Sequence, residues 1–236
     1  MSDKKFLTFP IEFLEGAFVD IIKICNNIFD YSIYVHSLKY EKECDSEIEA
    51  IEKAAKFYDI ELGNVRTTYN NGYSLYEEFG TKVAKSNIDK DIIFDYYRNK
   101  KTEFEIAAFC AYCATKSILG TKTFCKTNKF LIHARMFGHN SVSTMRNNQS
   151  KTKFQEKYFK RYNFDKLIKE LQHNWGMNMI SNRCRGFYIS YEIGLDELAV
   201  ISEKAKQKTR DLMLQKAKEE AIKKAREIVN NNAAVP

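Results

Sequence analysis

The segment FDKLIKELQHNWGMNMISNRCRGFYISY, Phe164 to Tyr191, decides how the chain is read. Phe164, Leu167, Ile168 and Leu171 recur at i, i+3, i+4 and i+7, the spacing that puts apolar side chains on one face of a helix. Lys166, Lys169, Gln172 and His173 fall outside that stripe and are left to face a partner. Gly176 closes the helix, as glycine does where the chain must take a positive φ. Beyond it Met177, Met179 and Ser181 alternate with Asn178 and Ile180, the loop 182–186 carries Arg183 and Arg185, and Phe187 to Tyr191 is aromatic and β-branched. The order is therefore helix, strand, basic turn, strand.

Charge distribution says what such a unit faces. No aspartate or glutamate occurs from Ile106 to Gln155, and residues 106–185 hold fifteen basic against three acidic residues, a net +12. The whole chain carries +7, so everything outside this segment sums to −5. A basic segment within an otherwise acidic chain is the footprint of polyanion binding, because phosphate neutralisation releases condensed counterions. AT-rich coding bias accounts for abundant Lys, Asn, Ile and Tyr, but it raises Glu and Asp too and leaves the acidic gap unexplained.

A helix followed at once by a hairpin with a basic tip resembles the recognition helix and wing of the winged helix-turn-helix superfamily, over roughly Thr102 to Ile193. The resemblance rests on element order and charge, and it implies a double-stranded DNA-binding surface. The helix that directly precedes a wing enters the major groove, which makes Asn163, Lys166, Lys169, Glu170 and His173 the candidates for base-edge or phosphate contacts. Lys157, Lys160 and Arg161 stand at the entrance to that helix, and Arg183 and Arg185 on the wing. A second signal lies upstream: Ala134 and Gly138 have the spacing of the small residue and turn glycine of a helix-turn-helix, followed by a helix from Ser141 through Arg146 to Asn148. Either 141–148 or 163–174 is then the reading helix. The second is preferred, which makes Gly138 to Lys153 a long polar loop. The competing reading is an α+β packing module whose hairpin seals a helical core and whose lysines form a solvated face.

The fold class expected is mainly α, in three parts. Residues 1–98 read as a helical packing or association domain, 99–194 as the winged-helix-like basic domain, and 195–236 as a long helix ending in a disordered tip, NNNAAVP. The first helix is expected to start near Pro10 and continue to Leu38. Ser46 with Glu49 has capping-box spacing, Asn70-Asn71-Gly72 signals a turn, and further helices are expected over Tyr73–Lys85 and Asp89–Arg98. In the basic domain a helix ends at Gly120, Lys122-Thr123-Phe124 reads as a short strand, and Thr127 as an N-cap. In the terminal helix Leu198, Ala205 and Leu212 recur every seven residues, which fits either a coiled-coil seam or a single helix packed by its first half. A homodimer through the N-terminal or C-terminal helices is thus an open expectation.

Six cysteines in largely apolar contexts read as free thiols of a reducing, cytoplasmic protein. The N-terminus has no secretory h-region, and no apolar run is long enough to span a membrane. Cys110-x2-Cys113 lies mid-helix, where cysteine behaves as a small apolar residue, so no zinc is expected. No phosphate-cradling glycine loop, nucleophile elbow or His-Glu-x-x-His occurs, so neither catalysis nor a cofactor is expected. The expected function is a DNA-binding regulator or replication initiator of phage or mobile-element style. The alternatives are RNA binding on the same face, or a structural module, such as a virion component, docking an acidic partner.

Overall fold

A computed structural model of the chain describes residues 4–80, 83–147, 152–181 and 186–233, with side chains described as far as Ala225. The chain is mainly helical, with two small antiparallel sheets and a long C-terminal helix. The first sheet is a ribbon of β1 (Phe6–Pro10) and β2 (Lys85–Asp89), in register Leu7↔Ile88 and Phe9↔Ser86. Alternation sends Leu7, Phe9, Ser86 and Ile88 to one face, and all four are fully buried. The ribbon joins two central helices: Ser32 of α1 (Ile21–Ser37) donates to Thr8 O at 3.1 Å, and Ser86 donates to Cys113 O of α5 (Glu103–Leu119) at 2.9 Å.

This ribbon corrects the first helix. Pro10 ends a strand, a 3-10 turn spans Ile11–Gly16, and α1 starts only at Ile21, capped by Asp20. The apolar stripe expected of one long helix is shared between three elements, because Phe6–Pro10 finds a pairing partner some eighty residues away. Around α1 pack α2 (Glu47–Phe57), α3 (Val65–Phe79) and α4 (Lys90–Arg98). The Ser46 hydroxyl accepts from Glu49 N at 3.2 Å, so the expected cap of α2 is present.

Asn70-Asn71-Gly72 is not a turn but lies inside α3. A Cβ on Gly72 would stand 2.5 Å from Tyr34 Cβ and 2.6 Å from Asp30 O, so the glycine permits close approach of α3 to α1. Asn71 then donates to the Asp30 carboxylate at 2.9 Å, and burial pushes the Asp30 pKa up. Helix α3 ends at Gly80, with φ +59°, short of the expected Lys85, which belongs to β2.

Helix α5 is buried on every side from Ala107 to Thr115, and a Thr102–Glu105 capping box starts it. The chain continues through β3 (Phe124–Thr127), α6 (Lys129–Met136), α7 (Val142–Asn147), α8 (Lys153–Phe159), α9 (Arg161–Asn174), β4 (Asn178–Ser181), β5 (Phe187–Ser190) and α10 (Leu195–Ala233). Strand β3 starts two residues later than expected, so Thr127 is a buried strand residue and Asn128 caps α6 instead. The second sheet has the order β3-β5-β4, in register Cys125↔Ile189↔Met179. Ile189, Cys125 and Met179 join the core under α5, while α10 packs on β4 and β5, where Tyr188 and Leu198 are buried outside the main cluster. A Cβ on Gly186, at φ +103°, would meet Thr127 O at 2.3 Å.

One cluster of buried side chains runs from Leu7 to Ile189. Only the first turns of α10 are covered, and Leu212, Met213, Leu214 and Ile222 are exposed. Its helical backbone reaches Ala233, within the tip NNNAAVP expected to be disordered, and 234–236 lie outside the described residues. Among the described residues no helix is long and apolar enough to cross a membrane.

Candidate nucleic-acid interface

Helix α9 buries Phe164, Leu167, Ile168 and Leu171, the stripe read from sequence, against α5 and α8. Gly176, at φ +71°, ends it, and Met177 N donates back to Leu171 O at 3.0 Å. Trp175 packs on Tyr112 at 4.5 Å with the rings tilted by 39°, and Tyr112 meets Tyr191 edge-on at 5.3 Å, which fixes the hairpin's base on α5. The Tyr191 hydroxyl and Thr115 Oγ1 lie 2.7 Å apart. The hairpin β4–β5 thus follows α9 directly and is locked to the same core.

The N-terminus of α9 is unusual in this protein. Lys160 stands at the N-cap with no side-chain hydrogen bond to the helix, Arg161 is the first residue, and no carboxylate lies in the first turn. Helices α1, α3 and α6 also lack a first-turn carboxylate but have a side-chain cap, and α2 and α5 have both a cap and two glutamates there. Cations at the positive end of a helix dipole are unfavourable, and an anion placed among them relieves the repulsion. Lys129 of α6 approaches the same end: its Nζ lies 5.0 Å from the Phe159 ring centroid and 5.1 Å from that of Phe164. Burial holds the Lys129 pKa below the usual lysine value, Asp165 opposes this and Arg161 adds to it.

The sequence-predicted residues divide by what holds them. Lys157 pairs with Glu103 at 2.9 Å, and hydrogen bonds from Lys157 and Tyr158 hold the Glu103 pKa below the usual carboxylate value, with partial burial opposing. Asn163 donates to Lys157 O at 2.8 Å and so ties α9 to α8. The His173 Nδ1 donates to Lys169 O at 2.7 Å, which leaves only Nε2 to face outward. Lys166 lies over the Phe104 ring at 4.5 Å, Arg146 is 5.9 Å from the Phe130 ring, and Lys160 and Lys169 are exposed. Glu170 is half-buried and accepts from Asn174. Arg183 and Arg185 lie outside the described residues. Among the described cations of 106–185, only Lys157 and Arg161 pair with a carboxylate, Arg161 with Asp165 at 3.6 Å.

The upstream helix-turn-helix signal has a local explanation. Gly138 takes φ +79° between α6 and α7, and a Cβ there would meet Glu12 O at 3.0 Å. Asn140 accepts from Ala84 N at 2.9 Å and donates to Glu12. The turn is therefore bound to the 3-10 segment of the N-terminal half. Within 138–153, expected as a loop, α7 forms a helix of six residues. Ser141 and Thr144 are occupied in capping it: Thr144 N donates to Ser141 Oγ and Ser141 N to Thr144 Oγ1, both at 3.1 Å.

Sequence reasoning missed an aromatic cleft of about 250 Å³ between α6, α7 and α8, walled by Phe130, Met145 and Phe159 with Arg146 at its rim. His133 lies buried at its back, Nε2 donating to Gln155 O at 2.9 Å. The dipeptides Lys129-Phe130 and Phe159-Lys160, with Arg161-Tyr162 next, carried the available signal: rings beside cations at two places far apart in sequence. Cys110 and Cys113 are fully buried, and burial pushes both thiols well up. No group of three or more metal-ligating side chains occurs among the described residues. No protein-family model, curated protein or solved structure matches this chain.

Proposed function

We propose that this protein binds double-stranded DNA, with α9 as the reading helix and the β4–β5 hairpin as the wing of a winged-helix-like unit. The observation that carries the reading is the N-terminus of α9, where Lys160 and Arg161 gather without an acidic cap. Lys160 also stands at the C-cap of α8, where a cation is favoured, and Arg161 pairs with Asp165, but neither supplies the anion that the N-terminus of α9 would accept from a phosphate. The strand order β3-β5-β4 supports the same reading, since it fastens the hairpin that follows α9 to the helical core. Helix α9 has fourteen residues, about 21 Å at 1.5 Å per residue, enough to lie along a groove. A regulator or replication initiator is the role that fits a basic surface with no catalytic constellation.

The test is a fluorescence anisotropy titration of the full chain with random duplex DNA at ~50 and ~200 mM salt. Binding at low salt that falls by about 10³-fold or more at the higher salt is the expected result. No binding at low salt refutes the proposal and assigns the basic segment to an acidic protein partner.

A further inference from the structure

We propose that the cleft between α6, α7 and α8 receives an unpaired base of the DNA strand held at the N-terminus of α9. This rests on the DNA-binding reading above and adds the chemical form of DNA recognised. Two features of the cleft point to one occupant. One wall is aromatic: the Phe130 and Phe159 rings pack on each other at 5.6 Å and 52°, and Phe130 is 44 % exposed. Its lining holds one cation, Arg146, 5.9 Å from the Phe130 ring, and Lys129, which does not line the cleft, lies 5.0 Å from the Phe159 ring. Glu156 also lines the cleft and balances Arg146 there, so the excess positive charge comes from residues outside the lining: Lys129, and Lys160 and Arg161, which follow Phe159 in the chain.

A purely apolar ligand leaves the cations unexplained, and a free phosphate leaves the rings unexplained. A flat aromatic group tethered to a phosphate satisfies both, by stacking on the rings while its backbone meets the cations. The volume of about 250 Å³ lies below the roughly 300–1,000 Å³ of whole-ligand sites, which suits a single base better than an entire cofactor. Position agrees as well. Phe159 immediately precedes Lys160, Arg161 and Tyr162, and Tyr162 is 78 % exposed on the outer side of the same helix end. A strand whose phosphates contact the start of α9 therefore has an aromatic slot on one side and a free ring on the other.

The experiment compares two probes on the full chain: a fully paired duplex, and the same duplex with a short single-stranded DNA tail containing 2-aminopurine. The tailed probe is expected to bind more tightly, with a change in 2-aminopurine fluorescence on binding. Phe130→Ala should remove the preference, lowering tailed-probe affinity by roughly 5- to 150-fold while leaving the paired duplex unaffected. Phe130→Trp should restore it. Equal wild-type affinity for both probes, or an equal loss on both in Phe130→Ala, overturns this inference and leaves the DNA-binding reading standing. An RNA tail preferred over the DNA tail overturns the choice of occupant. Failure of the wild type to bind either probe overturns the DNA-binding reading itself.

Discussion

The N-terminal region and the basic region solve the same problem, what to do with lysine and arginine, in different ways. Residues 1–105 carry twenty carboxylates against fourteen cations, and residues 106–185 carry three against fifteen. In the first, cations find carboxylates: Lys5 and Lys90 both reach Asp59, at 2.8 and 3.0 Å, Lys53 reaches Glu43, and Lys101 reaches Asp95. Rings hold cations in both regions, as with Lys5 over Phe57, Lys85 over Tyr31 and Arg98 over Phe94 in the first, but among the described cations of the second only Lys157 and Arg161 pair with a carboxylate. Lys116 lies over Tyr191, Lys129 over Phe159 and Phe164, Arg146 beside Phe130 and Lys166 over Phe104. A ring holds a cation's position without cancelling its charge. The basic region is thus ordered and still electropositive, the state a polyanion surface requires.

The comparison breaks most sharply at Gly72, where the N-terminal region depends on backbone approach. Gly72→Ala should push α3 from α1 and cost about 3 kcal/mol, measured by chemical denaturation. A loss under about 0.5 kcal/mol would mean the two helices are not packed as described.

Lys160→Asp probes the basic region and should act in opposite directions on stability and binding. A carboxylate there should gain about 0.5–2 kcal/mol as the N-cap of α9 and lose about 0.3–1 kcal/mol at the C-cap of α8, for a small net rise in Tm. The same substitution should weaken duplex binding and flatten its salt dependence by at least one phosphate contact, roughly 0.9 in log–log slope. If Tm rises with binding unchanged, that helix end faces no phosphate.

Protonation sharpens the contrast further. His36 stacks on Phe57 at 4.3 Å with the Tyr40 and Tyr58 hydroxyls each at 3.3 Å, and burial, aided by Lys39, lowers its pKa. The folded state therefore prefers the neutral ring, and the unfolded chain takes up the proton first. Stability from this site is fully present above about pH 6.5 and declines as pH falls from there through the lower folded pKa. His139, between α6 and α7, acts in the same direction through burial, with Glu15 opposing. Tm measured from pH 8 to 5 should fall, and His36→Phe should reduce the fall without abolishing it. An unchanged profile in that variant would remove His36 as a contributor.

The smallest effect is expected at Lys53, whose pair with Glu43 is exposed on both sides, 45 % and 60 %. Lys53→Ala should leave Tm unchanged within error, since exposed pairs contribute little. A clear drop would mean that ion pairing in the N-terminal region is structural in a way exposure does not suggest.

Much of the candidate interface was legible because its signals are local. The α9 stripe, Gly176, the two hairpin strands and the Ser46 cap follow from periods of 3.6 and 2 and from capping chemistry within a few residues. The end of α5 at Gly120 and the course of α4 to Arg98 were legible for the same reason. The aromatic cleft was not, because Phe130 and Phe159 lie on different helices and meet only once α6 and α8 pack. The role of Asn163 as a tie between α8 and α9 depended on the same packing.

By itself the sequence determined the positions of most helices, the hairpin and the uneven spread of charge, since each depends on neighbours in the chain. Tertiary structure alone decided that Phe6–Pro10 is a strand, because its hydrogen-bond partners are in residues 85–89. It also decided that Gly72 belongs inside a helix, because the atoms that exclude a Cβ there come from α1. Backbone pairing and steric exclusion between distant segments leave no periodic mark in either partner, so only their meeting reveals them.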